Sequence, residues 1–463
     1  MRCIKIIATL VLNQKHFFIF IVCLNGKLAF RNPLLSLYKT LGKMTVTNEK
    51  HSRELTEHFF RNEYGKMVSV ITKYIGTENV QTAEDIVQET LLKAVDYWQH
   101  NGIPKNPQAW LYTTAKNLTL NILKQKKYQS EFNEQTIEQN SEQLEKLEIS
   151  EELISDEQLK MMFVCCHPKI SENSQICLIL KILCGFSISE IANAFFTTTE
   201  TINKRLVRGR KLLRTNNVSF KLPKNLNENL PIVLKTIFLL FNEGYCPTQK
   251  NELIRYGLCL EAIRLCEILV NSENLEKKSD CLALLALMYF NASRFDSRMN
   301  VTNSIIEMDK QNRKNWNQEL INKGIQNLNQ AISEKKVSIY LILATISANH
   351  CIAPSFEKTD WEEILSLYDG LIELEDTPIT RLNRIVALSK VKGNRKAISE
   401  LEHLEKKSKI DKNHLFHSTL AELYKLENEI EKAKNSYKKA ISLTNNKRDA
   451  NLLQKKLIEV VPI

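Results

Sequence analysis

A chain of 463 residues is too long for one ordinary core, so its length implies two to four domains. Hydrophobic content of 43% with 25% charged residues excludes long disorder, and 12 glycines and 10 prolines supply too few turns for an all-β fold. The net charge of +11 owes seven units to residues 1–43, which hold no carboxylate, so a nucleic-acid role must rest on where the other cations lie.

In chain order, residues 1–43 come first. The apolar stretches 6–12 and 17–24 are split by Asn13, Gln14, Lys15 and His16, and neither is long enough to cross a bilayer. No small-residue cleavage site follows them. The shift to mixed charge at Met44 marks that residue as the expected start, with 1–43 a translated upstream stretch. Beyond it, apolar residues recur at helical spacing and the chain reads as all-α. Residues 53–128 form one small helical domain, 129–157 an acidic solvated linker with room for a short helix, and 158–215 a second small domain. After a polar connector containing Pro223, residues 229–463 alternate apolar runs with short polar breaks, the pattern of an α-solenoid-like extension. Its clearest repeat is tetratricopeptide-like: Leu420, Ala421 and Tyr424, then Ala433, Tyr437 and Ala440. Residues 383–404, turning near Gly393, fit in part, and Trp316 and Trp361 read as packing residues.

The first domain carries a two-sided helix around residues 83–98. Ile86, Val87, Thr90, Ala94, Tyr97 and Trp98 occupy its core-facing arc, while Asp85, Gln88, Glu89, Leu92 and Asp96 gather opposite. An acidic stripe is usually a solvated face, but an exposed leucine among carboxylates suits a protein partner with basic charge. Asn106 and Pro107 then open a second helix with Leu111, Ala115, Leu118 and Ile122 inward. Trp110, Thr113, Asn117, Asn121 and Lys124, ending in the cluster through Lys127, suit unpaired bases and their backbone. Packing of Trp110 under the preceding loop is an equally good reading.

In the second domain, Ser187 and Glu190 fit a capping box opening a short helix, and the turn at 196–198 leads to a longer basic one. This is a helix-turn-helix candidate. Ile202, Leu206, Gly209 and Leu213 face inward, and Glu200, Thr201, Lys204, Arg208 and Lys211 face out, toward phosphates and base edges; an ordinary solvated basic helix would look alike.

Taken together, Ala83–Leu91 (AEDIVQETL) followed by Trp110–Asn117 (WLYTTAKN) resembles region two of extracytoplasmic-function RNA polymerase sigma factors. Gly185-Phe186-Ser187, Glu190-Ile191-Ala192 and Thr201–Arg210 (TINKRLVRGR) resemble their region four. Phe163–Pro168 and Phe241–Tyr245 resemble the subgroup with a tetratricopeptide-type extension. The resemblance runs from about Arg53 to the end. It implies two small helical sigma domains, core RNA polymerase (β′ and β subunits) and promoter DNA as partners, and a cytoplasmic location without membrane. By similarity, Asp85, Gln88, Glu89 and Leu92 would dock on the β′ clamp helices. Trp110, Asn117, Asn121 and Lys124 would meet the melted minus-ten element, with Asn117 helping to capture a flipped base. Thr201, Lys204, Arg205, Arg208 and Lys211 would read the minus-thirty-five duplex. Thr113 stands where many relatives have arginine, which removes one backbone contact. The acidic linker would run through a basic polymerase channel.

No catalytic set is legible: there is no Walker glycine loop, dinucleotide turn or nucleophile elbow. Eleven cysteines without framework spacing read as reduced core thiols, and Cys165-Cys166-His167 lacks metal-ligand spacing, so neither cofactor nor metal is expected. The contrasting reading is a helix-turn-helix regulator with a tetratricopeptide sensor domain, which would need neither the acidic stripe nor the Trp110–Lys127 helix. The extension is expected to regulate the sigma domains in cis or to bind a partner protein.

Overall fold

The computed structural model describes residues 49–460 apart from 130–133, 146–149, 196, 217, 247–255, 299–305, 408 and 445–446. The segment 1–43 lies outside the described residues. Nineteen α-helices and no strand occur among those described, as the helical spacing of apolar residues requires. No helix among them is long and apolar enough to cross a membrane. The chain packs as two units, one running to Val233 apart from residues 193–196, the other from Leu234 to the C-terminus.

The first unit is built around α1 (Glu49–Ile75), which is flanked by α2 (Val80–Asn101), α3 (Pro107–Gln129) and α5 (Glu151–Cys165). Met67, Val68, Ile71 and Tyr74 of α1 are buried with Ile86 and Val87 of α2, Leu111 and Ala115 of α3, and Met161 and Met162 of α5. The linker departs from expectation. It contains α4 (Glu134–Glu145) and the start of α5, capped where Leu153 N donates to Ser150 Oγ at 3.1 Å. Leu144, Ile154 and Glu157 are buried, and Asn140 Nδ2 donates to the Tyr74 carbonyl at 2.9 Å. Apolar residues at 144 and 154 turn parts of a polar-looking segment into core, and Glu157 is tolerated there because Lys73 Nζ lies 2.9 Å from it.

The same unit holds α6 (Glu172–Ile182), α7 (Ile188–Ala194) and α8 (Thr199–Thr215). Helix α1 meets this second small domain very closely. A Cβ on Gly65 would lie 1.9 Å from the Leu183 carbonyl oxygen, so the two backbones touch where glycine alone fits. Polar pairs flank this point: Arg61 Nη1 donates to Glu190 Oε1 at 2.9 Å, and Arg210 Nη2 of α8 donates to Glu84 Oε1 of α2 at 2.9 Å.

The second unit is a succession of helix pairs, from α9 (Leu230–Tyr245), α10 (Tyr256–Asn271) and α11 (Ser279–Ala292), through α12 (Gln318–Ser333), α13 (Ile339–Ile352) and α14 (Trp361–Leu374), to α15 (Pro378–Lys392), α16 (Asn394–Lys407), α17 (His414–Leu426), α18 (Ile430–Leu443) and α19 (Lys447–Val460). Helix α11 is buried along most of its length, and Gly324 of α12 leaves room for its Phe290 ring. The tetratricopeptide-like pair is α17 and α18, where Leu420, Ala421, Tyr424, Ala433, Tyr437 and Ala440 are all buried. Gly393, with φ of 86°, makes the turn between α15 and α16. Trp316 is buried and Trp361 half-buried between Phe356 and His350.

Candidate polymerase and nucleic-acid interface

The acidic stripe of α2 stands clear of the core. Asp85, Gln88, Glu89, Leu92 and Asp96 are all exposed, with Leu92 at 70%. Glu89 pairs with Lys93 one turn on, at 2.9 Å, and Gln81 donates to Asp85 at 3.4 Å. The apolar part of this surface is larger than the spacing indicated, because Val95, Tyr97 and Ile103 are also exposed, at 51, 47 and 67%. Tyr97 therefore corrects the expected core arc. It sits one position before Trp98, which fills the inward place, and its ring lies outside on Trp110. Glu84 was not anticipated: it is buried and accepts from Tyr64 Oη at 3.1 Å as well as from Arg210. Burial and the Glu84 carboxylate push the Tyr64 phenol well above its ordinary range.

Helix α3 begins at Pro107, and Ala109 N donates to Asn106 Oδ1 at 3.0 Å, a cap followed by proline in the first turn. Asn117, Asn121 and Lys124 line its exposed face; the side chains of Lys126 and Lys127 lie outside the described residues. Trp110 is half-buried, stacked on Tyr97 with ring centroids 5.4 Å apart and edge-on to Trp98 at 5.8 Å. It therefore belongs to the aromatic cluster at the end of α2 as much as to the open face. The inward stripe is also displaced from expectation. Leu111, Tyr112, Ala115, Thr119, Leu120 and Leu123 are buried, whereas Leu118 and Ile122 are half-buried, because α3 is gripped by α1 and α2 on one side and by α4 on another. Thr113 is exposed, its hydroxyl donating to the Ala109 carbonyl at 2.8 Å.

In the helix-turn-helix, Ser187 N donates to Glu190 Oε2 at 2.8 Å and Glu190 N to Ser187 Oγ at 3.2 Å, a complete capping box. Thr198 caps α8 by accepting from Thr201 N at 3.2 Å, so Thr201 is half-buried in the cap. Ile202, Leu206, Gly209 and Leu213 are buried, and a Cβ on Gly209 would lie 2.8 Å from Leu178 Cδ1 of α6. Glu200, Lys204, Arg208 and Lys211 are exposed, with Lys204 Nζ 2.6 Å from Glu200. Asn203 and Val207, the latter 59% exposed, share this face and were missed. The signal was present, since both flank Lys204 on the side away from Arg208, but a valine is easily taken for core. Arg205 departs from the expected DNA set: it is half-buried, its Nη1 enclosed, and it hydrogen-bonds the Cys177 thiol.

The cysteines at 165 and 166 are buried in α5 and its cap, and burial pushes the Cys166 thiol up to about 12. No group of three potential metal ligands occurs among the described residues.

Comparison with known proteins gives two family matches. Residues 59–128 match the family Sigma-70 region 2, and residues 229–332 match a family of unknown function, DUF6596. The chain is 28% identical over 386 residues to an uncharacterized protein of Rhizobium meliloti, a match covering 82% of this chain and 90% of the relative. It is 24% identical over 193 residues to the ECF RNA polymerase sigma factor SigG of Mycobacterium tuberculosis, in two strains. That match covers 38% of this chain and 48% of SigG, about half the length of the relative. No solved structure matches the chain. The chain thus carries a segment that matches sigma-70 region 2, followed by a helical segment that matches DUF6596.

Proposed function

We propose that this protein, as a sigma factor of the extracytoplasmic-function type, binds core RNA polymerase and directs it to promoters. The observation that carries this reading is the exposed acidic stripe of α2 with Leu92 at 70%, inside the segment matched to Sigma-70 region 2. Carboxylates around an apolar centre are suited to a basic protein surface: the charges speed and orient encounter, and the buried apolar contact holds it. The β′ subunit is the partner proposed for this stripe, with β a second contact.

Asn117, Asn121 and Lys124 are proposed to hold the melted minus-ten strand, where amides reach base edges and the cation meets phosphate. Lys204, Arg208 and Lys211 are proposed to grip the minus-thirty-five duplex, with Asn203 and Val207 toward base edges: an amide can pair with adenine, and a valine can meet a thymine methyl. Arg205 is proposed to hold α8 on α6 rather than to touch DNA, since it is half-buried and bonded to the Cys177 thiol. The two promoter elements lie about 25 base pairs apart, roughly 85 Å at 3.4 Å per pair. Domains packed through Gly65 on Leu183 do not span that distance, so binding both elements at once calls for the two domains to part. The polar pairs at this junction, Arg61 with Glu190 and Arg210 with Glu84, can be rehydrated on opening.

The DUF6596 extension is proposed to regulate these domains in cis, because covalent attachment makes even weak contacts effective. An independently acting helix-turn-helix regulator is the contrasting reading; the Sigma-70 region 2 match disfavours it. Co-purification of the full-length protein with core polymerase, followed by mapping of transcription starts on overexpression, tests the proposal. New starts with a shared upstream sequence are expected, and no association with core polymerase would refute it.

A further inference from the structure

Four of the seven arginines of the extension whose side chains are described are matched by carboxylates. Arg264 lies 2.6 Å from Glu261, Arg381 2.7 Å from Asp376, Arg384 2.8 Å from Glu400, and Arg395 2.9 Å from Glu427. Arg298 instead stacks on Tyr245 and donates to its carbonyl at 2.8 Å, and Arg294 and Arg313 differ again. Neither forms an ion pair among the described residues, yet both guanidinium groups lie against one indole, 5.3 and 4.8 Å from the ring centre of buried Trp316. Arg294 follows α11, and its Nε donates to Gln311 Oε1 at 3.3 Å. Arg313 lies before α12, and its Nη1 donates to the carbonyls of Ala353, at 2.6 Å, and His350, at the end of α13. The carboxylate that bears on Arg313 is Glu357, which is exposed and bonded to Ser355.

Three atoms of Arg313 and its neighbours are buried without a partner among the described residues: Arg313 Nη2, Trp316 Nε1 and, on a ring edge-on to Trp361, His350 Nδ1. Arg294, Arg313 and His350 are themselves half-buried, so the cluster reaches the surface. Two like charges held together without a counter-ion are costly in a half-buried setting. A bridging water would answer the hydrogen bonds but not the charge. An anion answers both, and the planar guanidinium fork suits the oxygens of a carboxylate or phosphate.

We propose that Arg294, Arg313, Trp316 and His350 form a binding site for a small oxyanion, a carboxylate or a phosphate, within the extension. Arg294 and Arg313 Nη2 donate to its oxygens, Trp316 Nε1 adds a neutral donor, and the Trp316 face orients both arginines. Arg313 Nη1 meanwhile caps α13, which fixes the fork before the ligand arrives. The site lies wholly in the second unit and does not depend on the transcription reading.

The test is calorimetric titration of the full-length protein with inorganic phosphate and, separately, with acetate, against chloride at matched ionic strength. Saturable one-to-one binding of at least one anion is expected, and which one binds identifies the oxyanion class. Arg294→Gln should weaken it by about tenfold or more. That side chain makes no backbone bond, so the variant should keep its circular dichroism. Lys204→Ala with Arg208→Ala, which strips cations from the basic helix α8, should leave the binding intact. Absence of saturable binding by either anion, binding unchanged in Arg294→Gln, or binding lost only in the α8 variant would each overturn the assignment.

Discussion

Single side chains divide the DNA-facing work. Lys204 and Arg208 are exposed cations on a helix whose opposite face is buried, so their removal should weaken the hold on phosphates and cost little stability. The double alanine variant is expected to weaken duplex promoter binding and to lower the salt slope by ~0.9 for each phosphate no longer neutralised. Asn117→Ala should leave duplex binding near normal but impair melting, read by permanganate reactivity of the start-site bubble; normal melting would remove its base-capture role. His350 supports a separate prediction. Burial, then the charges of Arg294 and Arg313, hold its pKa down to about 4 from 6.5. The unfolded chain therefore takes up a proton that the folded one refuses, so stability should fall as pH drops from about 6.5 toward 4. Relative to His350→Gln, the loss should reach no more than about 3 kcal/mol in denaturant titrations. Parallel pH profiles would show that His350 is not held neutral.

At the scale of elements, local chemistry was the most legible part. The Ser187–Glu190 box, the Asn106–Pro107 start and the inward face of α8 follow from rules that act within a few residues, and each is present. What spacing could not supply was the identity of the neighbours. Glu84 reads as one more surface carboxylate until Arg210 and Tyr64 converge on it from other helices. Leu118 and Ile122 fit an inward arc, but three helices around α3 rotate the buried set toward Leu120 and Leu123. Tyr97 stays outside because Trp110 offers it a ring to stack on. The approach of α1 to the Leu183 turn was equally invisible, since a helix-interior glycine carries no label of what it touches. Gly65→Ala places a Cβ 1.9 Å from the Leu183 oxygen and should destabilise this packing by about 1–3 kcal/mol. If the domains part on the promoter, the variant should still form open complexes with core polymerase. Loss of open complexes in a well-folded variant would mean that the packed arrangement is the active one.

For the whole molecule, composition sets boundaries near 129, 215 and 229 as expectations, and the family matches cover 59–128 and 229–332. The linker was the exception, because two apolar residues in a polar stretch suffice to anchor it. Truncation after Asn229 keeps the turn that buries Leu226 and removes the extension. With purified core enzyme, the truncated protein is expected to differ from full length in transcription from the same promoter. Equal activity in vitro and in cells would remove cis control. Helix α2 is proposed to present a polymerase-docking face, and a charge reversal tests this most directly. Asp85→Lys with Glu89→Lys alters two exposed residues whose partners are Gln81 and Lys93, so circular dichroism should be unchanged. Core polymerase should no longer be retained by the immobilised variant, because cations would now face a basic partner. Retention equal to wild type by a folded variant would contradict the account.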